Sequence, residues 1–191
     1  NIDGALIIGS INRRYITGFS SSEGAVLITR GGCYFLTDSR YIESARRTVT
    51  EMECVEYKNR DETLLKLAKS HGLFNIAVED DGLTCAQLRR LESVFGSIRL
   101  HGGILDKLIY KMRLAKTGPE IEKIRQAQAL TDRGFDYILT KIKEGRTERE
   151  LAIELEFYLR RQGAHSAAFD FIVLSGSNTS MPHGVPGDRT V

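Results

Sequence analysis

The sequence predicts an α/β fold with a mixed sheet, followed by the opening part of an α+β domain. Three observations carry this expectation. Apolar runs of strand length alternate with helical patterns as far as residue 105. A glycine-bearing link joins two of those runs as a hairpin. From Asp106 onward the pattern changes to long amphipathic helices, with one strong strand candidate behind them.

Taken in order, Ala5–Ile8, Ala25–Ile28 and Cys33–Thr37 are strand candidates. The last two flank Thr29-Arg-Gly-Gly32, a hairpin signal because glycine reaches positive φ without a Cβ penalty. Asp38 is placed to cap a helix running through Tyr41, Ile42 and Ala45. Next come a strand at Met52–Tyr57, a helix near Glu62–Lys69 and a strand at Asn75–Val78. A helix from Thr84 to Val94 and a strand near Ser97–Leu100 complete a first domain over 1–105.

Residues 106–116 read as a charged helical connector, and 117–191 as an incomplete second domain. Thr117-Gly-Pro-Glu120 and Thr147-Glu-Arg-Glu150 are capping-box signatures, with Thr placed to bond the backbone three residues on and Glu to reach back. Behind the first, Ile121, Ile124, Gln128, Phe135, Ile138, Leu139 and Ile142 form a helical stripe, with Gly145 as its stop. Behind the second, Leu151, Leu155, Tyr158 and Leu159 share a face that ends at Gly163. Both stripes are expected to be core. One strand, Ala167–Leu174, cannot cover two such helices or satisfy its own edges, so further strands are expected from beyond Val191 or from another chain.

A length of 191 residues suffices for a core without disulfides or metal, and 41% hydrophobic with 27% charged residues is an ordinary globular composition. The net charge of +2 gives no general electrostatic case for nucleic acid. No apolar run approaches the roughly 20 residues that span a bilayer, so no membrane partner is expected. Cys33, Cys54 and Cys85 lack CxxC spacing and read as reduced, space-filling thiols of an intracellular protein.

Four histidines are candidates for chemistry. His71, His101 and His165 sit at element ends, where a structural role suffices. His183 differs, because it lies between Pro182 and Gly184 in the polar stretch Ser175–Val191, with Pro186 close behind. Proline restricts the backbone, so an adjacent imidazole is held at lower entropic cost and is suited to bond a carbonyl or shuttle a proton near neutral pH. Asp170 and Asp188 have no partner carboxylate at metal-binding spacing and read as structural.

Several segments together carry a family resemblance. These are Asn12-Arg-Arg-Tyr-Ile-Thr-Gly-Phe19, Gly24–Thr29 and Leu36-Thr-Asp-Ser-Arg-Tyr41 near the start. Arg113, Lys116, Glu120 and Ile121 follow, then Gly145-Arg-Thr-Glu148, Phe169-Asp170 and Ser175-Gly-Ser-Asn…Pro-His-Gly184. In this order and spacing the chain resembles the pita-bread metallopeptidases: aminopeptidase P, Xaa-Pro dipeptidase (prolidase) and creatinase. The resemblance implies a creatinase-type N-terminal domain followed by the first part of a pita-bread catalytic domain.

It also implies a manganese or cobalt pair held by two aspartates, a histidine and two glutamates. All of these would follow the position of Val191, so none maps onto this chain and no ion is expected to bind it. His183 matches the histidine that helps bind substrate and stabilise developing negative charge. The implied activity of the whole protein is hydrolysis of the bond before proline, with proline-containing peptides as substrates, cytoplasmic location and a homodimeric state; the 191-residue chain alone is expected to be inactive. Two alternatives stay open: a non-catalytic pita-bread module that binds peptides or proteins, and a short protein completed by dimerisation.

Overall fold

A computed structural model describes Asn1–Val191, which divide into two compact units, Asn1–Ala115 and Lys116–Val191. The first unit is built on a six-stranded sheet. Its strands are β1 (Gly4–Ile7), β2 (Ala25–Thr29), β3 (Cys33–Thr37), β4 (Glu53–Glu56), β5 (Asn75–Val78) and β6 (Arg99–His101), in the spatial order β4-β3-β2-β1-β5-β6. The β1–β2 and β2–β3 pairs are antiparallel, whereas β3–β4, β1–β5 and β5–β6 are parallel. A tight hairpin joins antiparallel β2 and β3, and helical crossovers precede the parallel strands β4 and β6; β1 and β2 are antiparallel although a helix lies between them. The hairpin forms at the expected link, but neither Gly31 nor Gly32 adopts positive φ. The turn is instead closed by the Thr29 N–H donating to Gly32 O at 2.9 Å and by the Thr29 hydroxyl accepting from the N–H groups of Gly31 and Gly32.

Alternation along the strands sorts the core into two layers. Leu6, Leu27, Leu36, Ile76 and Val78 face one cluster with Leu64, Ala68, Leu91 and Phe95. The last four come from α3 (Arg60–Ser70) and α4 (Cys85–Phe95). Ile7, Val26, Phe35 and Ala77 face the other cluster with Ala45 of α2 (Ile42–Thr48) and Leu105 and Ile109 of α5 (Leu105–Leu114). Because helices cover both faces, the central strands are continuous apolar runs rather than alternating ones.

Two details of this unit depart from the sequence reading. Asp38 does not cap α2 with its side chain: its backbone carbonyl accepts from the N–H groups of Tyr41 and Ile42, while its carboxylate is taken by the Arg40 guanidinium and N–H. The paired guanidinium out-competes the helix N–H groups for that carboxylate. An additional helix, α1 (Ser10–Thr17), occupies the Asn12–Phe19 motif and ends on Gly18, whose φ of 69° closes it in the left-handed region.

The second unit contains α6 (Gly118–Leu139), α7 (Glu148–Arg161) and a 3-10 turn at Gly176–Ser180. The Thr147 box forms in full, with Thr147 N–H donating to Glu150 Oε2 at 2.9 Å and Glu150 N–H to Thr147 Oγ1 at 3.1 Å. At the start of α6, both the N–H and the hydroxyl of Thr117 donate to Glu120 at 2.8 Å. Helix α6 stops at Leu139, before Gly145.

The helices meet at Gly134, where an added Cβ would lie 2.6 Å from Leu159 Cδ2 and 3.3 Å from Leu155 Cδ1. Beside that contact, Tyr137 and Tyr158 stack at 3.9 Å, and the Tyr137 hydroxyl donates to Glu154 at 2.6 Å. The expected core stripe is largely outside this contact. Ile138 is buried, but Ile121, Ile124, Phe135, Leu139 and Ile142 are exposed. The expected strand at Ala167–Leu174 is not a strand either; the segment has no ladder partner, and Phe169 is 77% exposed. A strand exists through its inter-strand bonds, so apolar composition without a neighbouring strand leaves an unpaired segment.

Candidate functional site

The segment carrying His183 is organised from both of its ends. Met181 to Gly184 form a turn closed by the Gly184 N–H on Met181 O at 3.1 Å. Pro182 occupies the second position of that turn, where its fixed φ is favourable, and His183 the third. No non-glycine residue has positive φ, so this is not a type II turn. Gly184 packs closely on Leu174: a Cβ there would sit 2.7 Å from Leu174 Cδ1, so that side chain would have to move. His183 itself is exposed and makes no side-chain hydrogen bond.

Glu148, in the first turn of α7, ties the two ends of this segment together. It is fully buried. Its Oε1 accepts from the Ser175 N–H at 2.7 Å, the Ser175 hydroxyl at 3.1 Å and Asn178 Nδ2 at 3.1 Å. Its Oε2 accepts from the Gly187 N–H at 3.1 Å and from Asn178 Nδ2 at 3.3 Å. Burial opposes ionisation, yet the N–H groups of Ser175 and Gly187, together with Asn178 and the Ser175 hydroxyl, outweigh it and hold the carboxyl below its ordinary value. The adjacent backbone is also paired: Glu148 N–H donates to Arg189 O, Arg149 N–H to Gly187 O, and Val191 N–H to Arg146 O. Arg189 reaches back to the Ser177 hydroxyl at 2.9 Å.

The other candidate residues are dispersed. His71 Nε2 lies 2.7 Å from the Tyr34 hydroxyl, and His101 Nε2 lies 2.9 Å from Asn75 Oδ1. His165 lines a groove of about 710 Å3 with Leu130, Arg133, Leu159 and Phe169, and His183 is not part of that lining. Asp170 is exposed, and Asp188 is 3.5 Å from Arg149. The three cysteines are free thiols. No group of three or more His, Cys, Asp or Glu residues is arranged to hold a metal ion. No helix is long and apolar enough to cross a membrane.

In the first unit the structure brings two distant motif segments together. Arg113 donates to Asn12 Oδ1 at 2.8 Å, and Asn12 Nδ2 donates to Glu79 Oε1 at 2.7 Å. Buried Glu79 also accepts from the N–H groups of Ile8 and Gly9 at 2.6 and 2.7 Å, which places a carboxylate at the N-terminal end of α1. Arg13 is buried alongside and donates to Ile8 O at 2.8 Å and Gly24 O at 3.0 Å. These motif residues hold the unit together.

Comparison with known proteins matches both units. Residues 1–126 match the Creatinase/Prolidase N-terminal domain, and residues 122–191 match Metallopeptidase family M24. The chain belongs to the creatinase/prolidase group of M24 metallopeptidases. An uncharacterized peptidase of Bacillus subtilis is 36% identical over 191 residues, covering 100% of this chain and 54% of that protein. A structure of an Xaa-Pro dipeptidase from Bacillus anthracis superposes with a TM-score of 0.91 at 34% identity, over 100% of this chain and 53% of that one. An X-Pro aminopeptidase from Thermotoga maritima gives the same TM-score and identity, with 55% of its chain covered.

The pita-bread assignment made from the motifs thus stands, as does the mixed α/β fold followed by an M24-type domain. The chain spans about half the length of the curated relatives it matches. Sequence reasoning missed Glu148 as more than a motif letter. Its only local signal was its place between Thr147 and Glu150, which explains a helix start equally well.

Proposed function

We propose that the whole protein is a dinuclear metal-dependent Xaa-Pro aminopeptidase or dipeptidase, with His183 as a catalytic residue. The observation that carries this reading is membership of the M24 family, together with 34% identity to two structures described as Xaa-Pro peptidases. The residues of this chain do not themselves fit a metal pair. The ligands, manganese or cobalt in this reading, are assigned to parts of the protein outside 1–191. When bound, such ions lower the pKa of a water and polarise the scissile carbonyl.

The contribution of this chain is positional. An exposed imidazole on a pinned turn presents an N–H toward a peptide carbonyl, where donation strengthens as negative charge develops. Proline-containing peptides are the proposed substrates, a cytoplasmic homodimer the proposed state, and 1–105, 106–116 and 117–191 the proposed domain, connector and catalytic portion.

The test uses the full-length protein, loaded with manganese or cobalt, against Xaa-Pro dipeptides and tripeptides with proline second. Hydrolysis that chelation abolishes is expected, and His183→Ala should lower kcat by about 10²-fold with metal content unchanged. Residue release from tripeptides identifies an aminopeptidase; cleavage of dipeptides alone identifies a dipeptidase. Peptide binding without turnover would replace the peptidase reading with that of a binding module.

A further inference from the structure

The Ser175–Gly187 segment is a closed loop, and its closure depends on one side chain. Ser175 and Asn178 lie on the entering side of the His183 turn, and Gly187 on the leaving side. All three donate to the same carboxylate, across sequence separations of 27, 30 and 39 residues from Glu148. We propose that Glu148 is a positioning residue, which fixes the His183 turn by clamping both ends of its loop to the start of α7. This role rests on the peptidase reading and names a residue through which the His183 site is built.

The chemistry of the clamp explains why a carboxylate is needed. Every group facing Glu148 is a donor: two backbone N–H groups, a hydroxyl and a side-chain amide. An ionised carboxylate offers only acceptors and satisfies all of them. Gln in its place has nearly the same shape but carries an NH2, so one side of the clamp becomes donor against donor. With Oε1 toward Ser175 the Gly187 end is released; turned over, the Ser175 end is released. Glu148 also stands at the positive end of α7, where negative charge is favoured, and a neutral amide forfeits that as well. A residue that merely filled space would tolerate Gln.

The experiment has two arms. In the 191-residue chain, amide hydrogen exchange compares wild type with Glu148→Gln. The amides of Ser175 and Gly187 should exchange at least about tenfold faster in the variant, while those of β2 and β3 keep their rates. Unchanged exchange at both amides overturns the clamp. In the metal-loaded full-length protein, kcat/KM for an Xaa-Pro peptide is measured for Glu148→Gln, His183→Ala and the double variant. If Glu148 acts through His183, the single Gln variant loses about tenfold or more, and the double variant falls within about twofold of His183→Ala alone. Multiplying losses would show that Glu148 supports the enzyme generally and not through His183.

Should Glu148→Gln fail to fold, Asn178→Ala removes one donor and leaves the carboxylate in place. It should give about threefold loss, again absent in the His183→Ala background, and a loss of the same size in both backgrounds would overturn the proposal. If wild type shows no hydrolysis, the peptidase reading fails, and the amide-exchange arm still decides the clamp.

Discussion

The two units dispose of their apolar side chains in opposite ways. In residues 1–115 both faces of the sheet are covered, and Leu6, Leu27, Phe35, Leu36 and Ile76 are completely shielded from solvent. In residues 116–191 the buried apolar side chains are Ile138 and Leu151, while Phe135, Leu139, Ile153 and Phe157 face solvent. The helices of both units are amphipathic; the difference is that the first unit has strands for its helices to cover. An amphipathic helix in water gains its stability from packing, so α6 and α7 are held by their mutual contact at Gly134 and by their caps. Within residues 116–191, polar closure around Glu148 ties the loop at 175–187 to the start of α7.

Separating the units should produce the largest effect. Residues 1–115 expressed alone should unfold cooperatively, whereas residues 116–191 alone should melt without a cooperative transition and bind a hydrophobic dye. A cooperative transition for 116–191 alone would remove the contrast. Within the intact chain, Phe35→Ala should cost about 3–5 kcal/mol in denaturant titration, because a completely buried ring leaves a cavity. Phe157→Ala, which trims an exposed ring, should stay within about 0.5 kcal/mol.

Between these extremes lie two sharper tests. Glu79→Ala strands the N–H groups of Ile8 and Gly9 and the Asn12 amide, and should destabilise the first unit by about 2–3 kcal/mol. Gly134→Val drives a side chain into Leu159 and should loosen the α6–α7 contact by about 1–3 kcal/mol, visible in near-UV circular dichroism as loss of the Tyr137–Tyr158 stacking.

A further expected effect is one of pH. The folded carboxyl of Glu148 is held below its unfolded value, so its contribution is fully present above about pH 4.3 and is lost as pH falls through the lowered folded value. Proteolysis within 175–187 should therefore stay slow through neutral and mildly acidic pH and accelerate only in stronger acid. Acceleration near neutral pH would contradict the clamp.

How much of this was legible depended on the range of the interaction. The Thr29–Gly32 hairpin, the Thr147 box and the strands Cys33–Thr37 and Asn75–Val78 rest on neighbours within a few residues, and sequence patterns report them. The apolar run at 167–174 looked like a strand because composition indicates β preference but not the presence of a partner. The stripe on α6 was read as core on the condition that strands from beyond Val191 or another chain cover it, and within residues 116–191 it is largely exposed. Glu79 and Glu148 were invisible as hubs because their donors lie 27 to 71 residues away in sequence. The fold family was nonetheless readable from ordered short motifs, two of which meet in the structure where Arg113 donates to Asn12. His183 was singled out from its neighbours Pro182, Gly184 and Pro186, and the structure places it in the turn closed by the Gly184 N–H on Met181 O.

Residue-resolved amide hydrogen exchange of the 191-residue chain at neutral pH tests the contrast most directly. The slowest amides should lie in β1, β2 and β3, with Ser175 and Gly187 the most protected positions of the Ser175–Val191 segment and the exposed faces of α6 and α7 exchanging faster than any central strand. Equal protection of α6 and the central strands, or Ser175 and Gly187 exchanging as fast as the residues between them, would contradict the account.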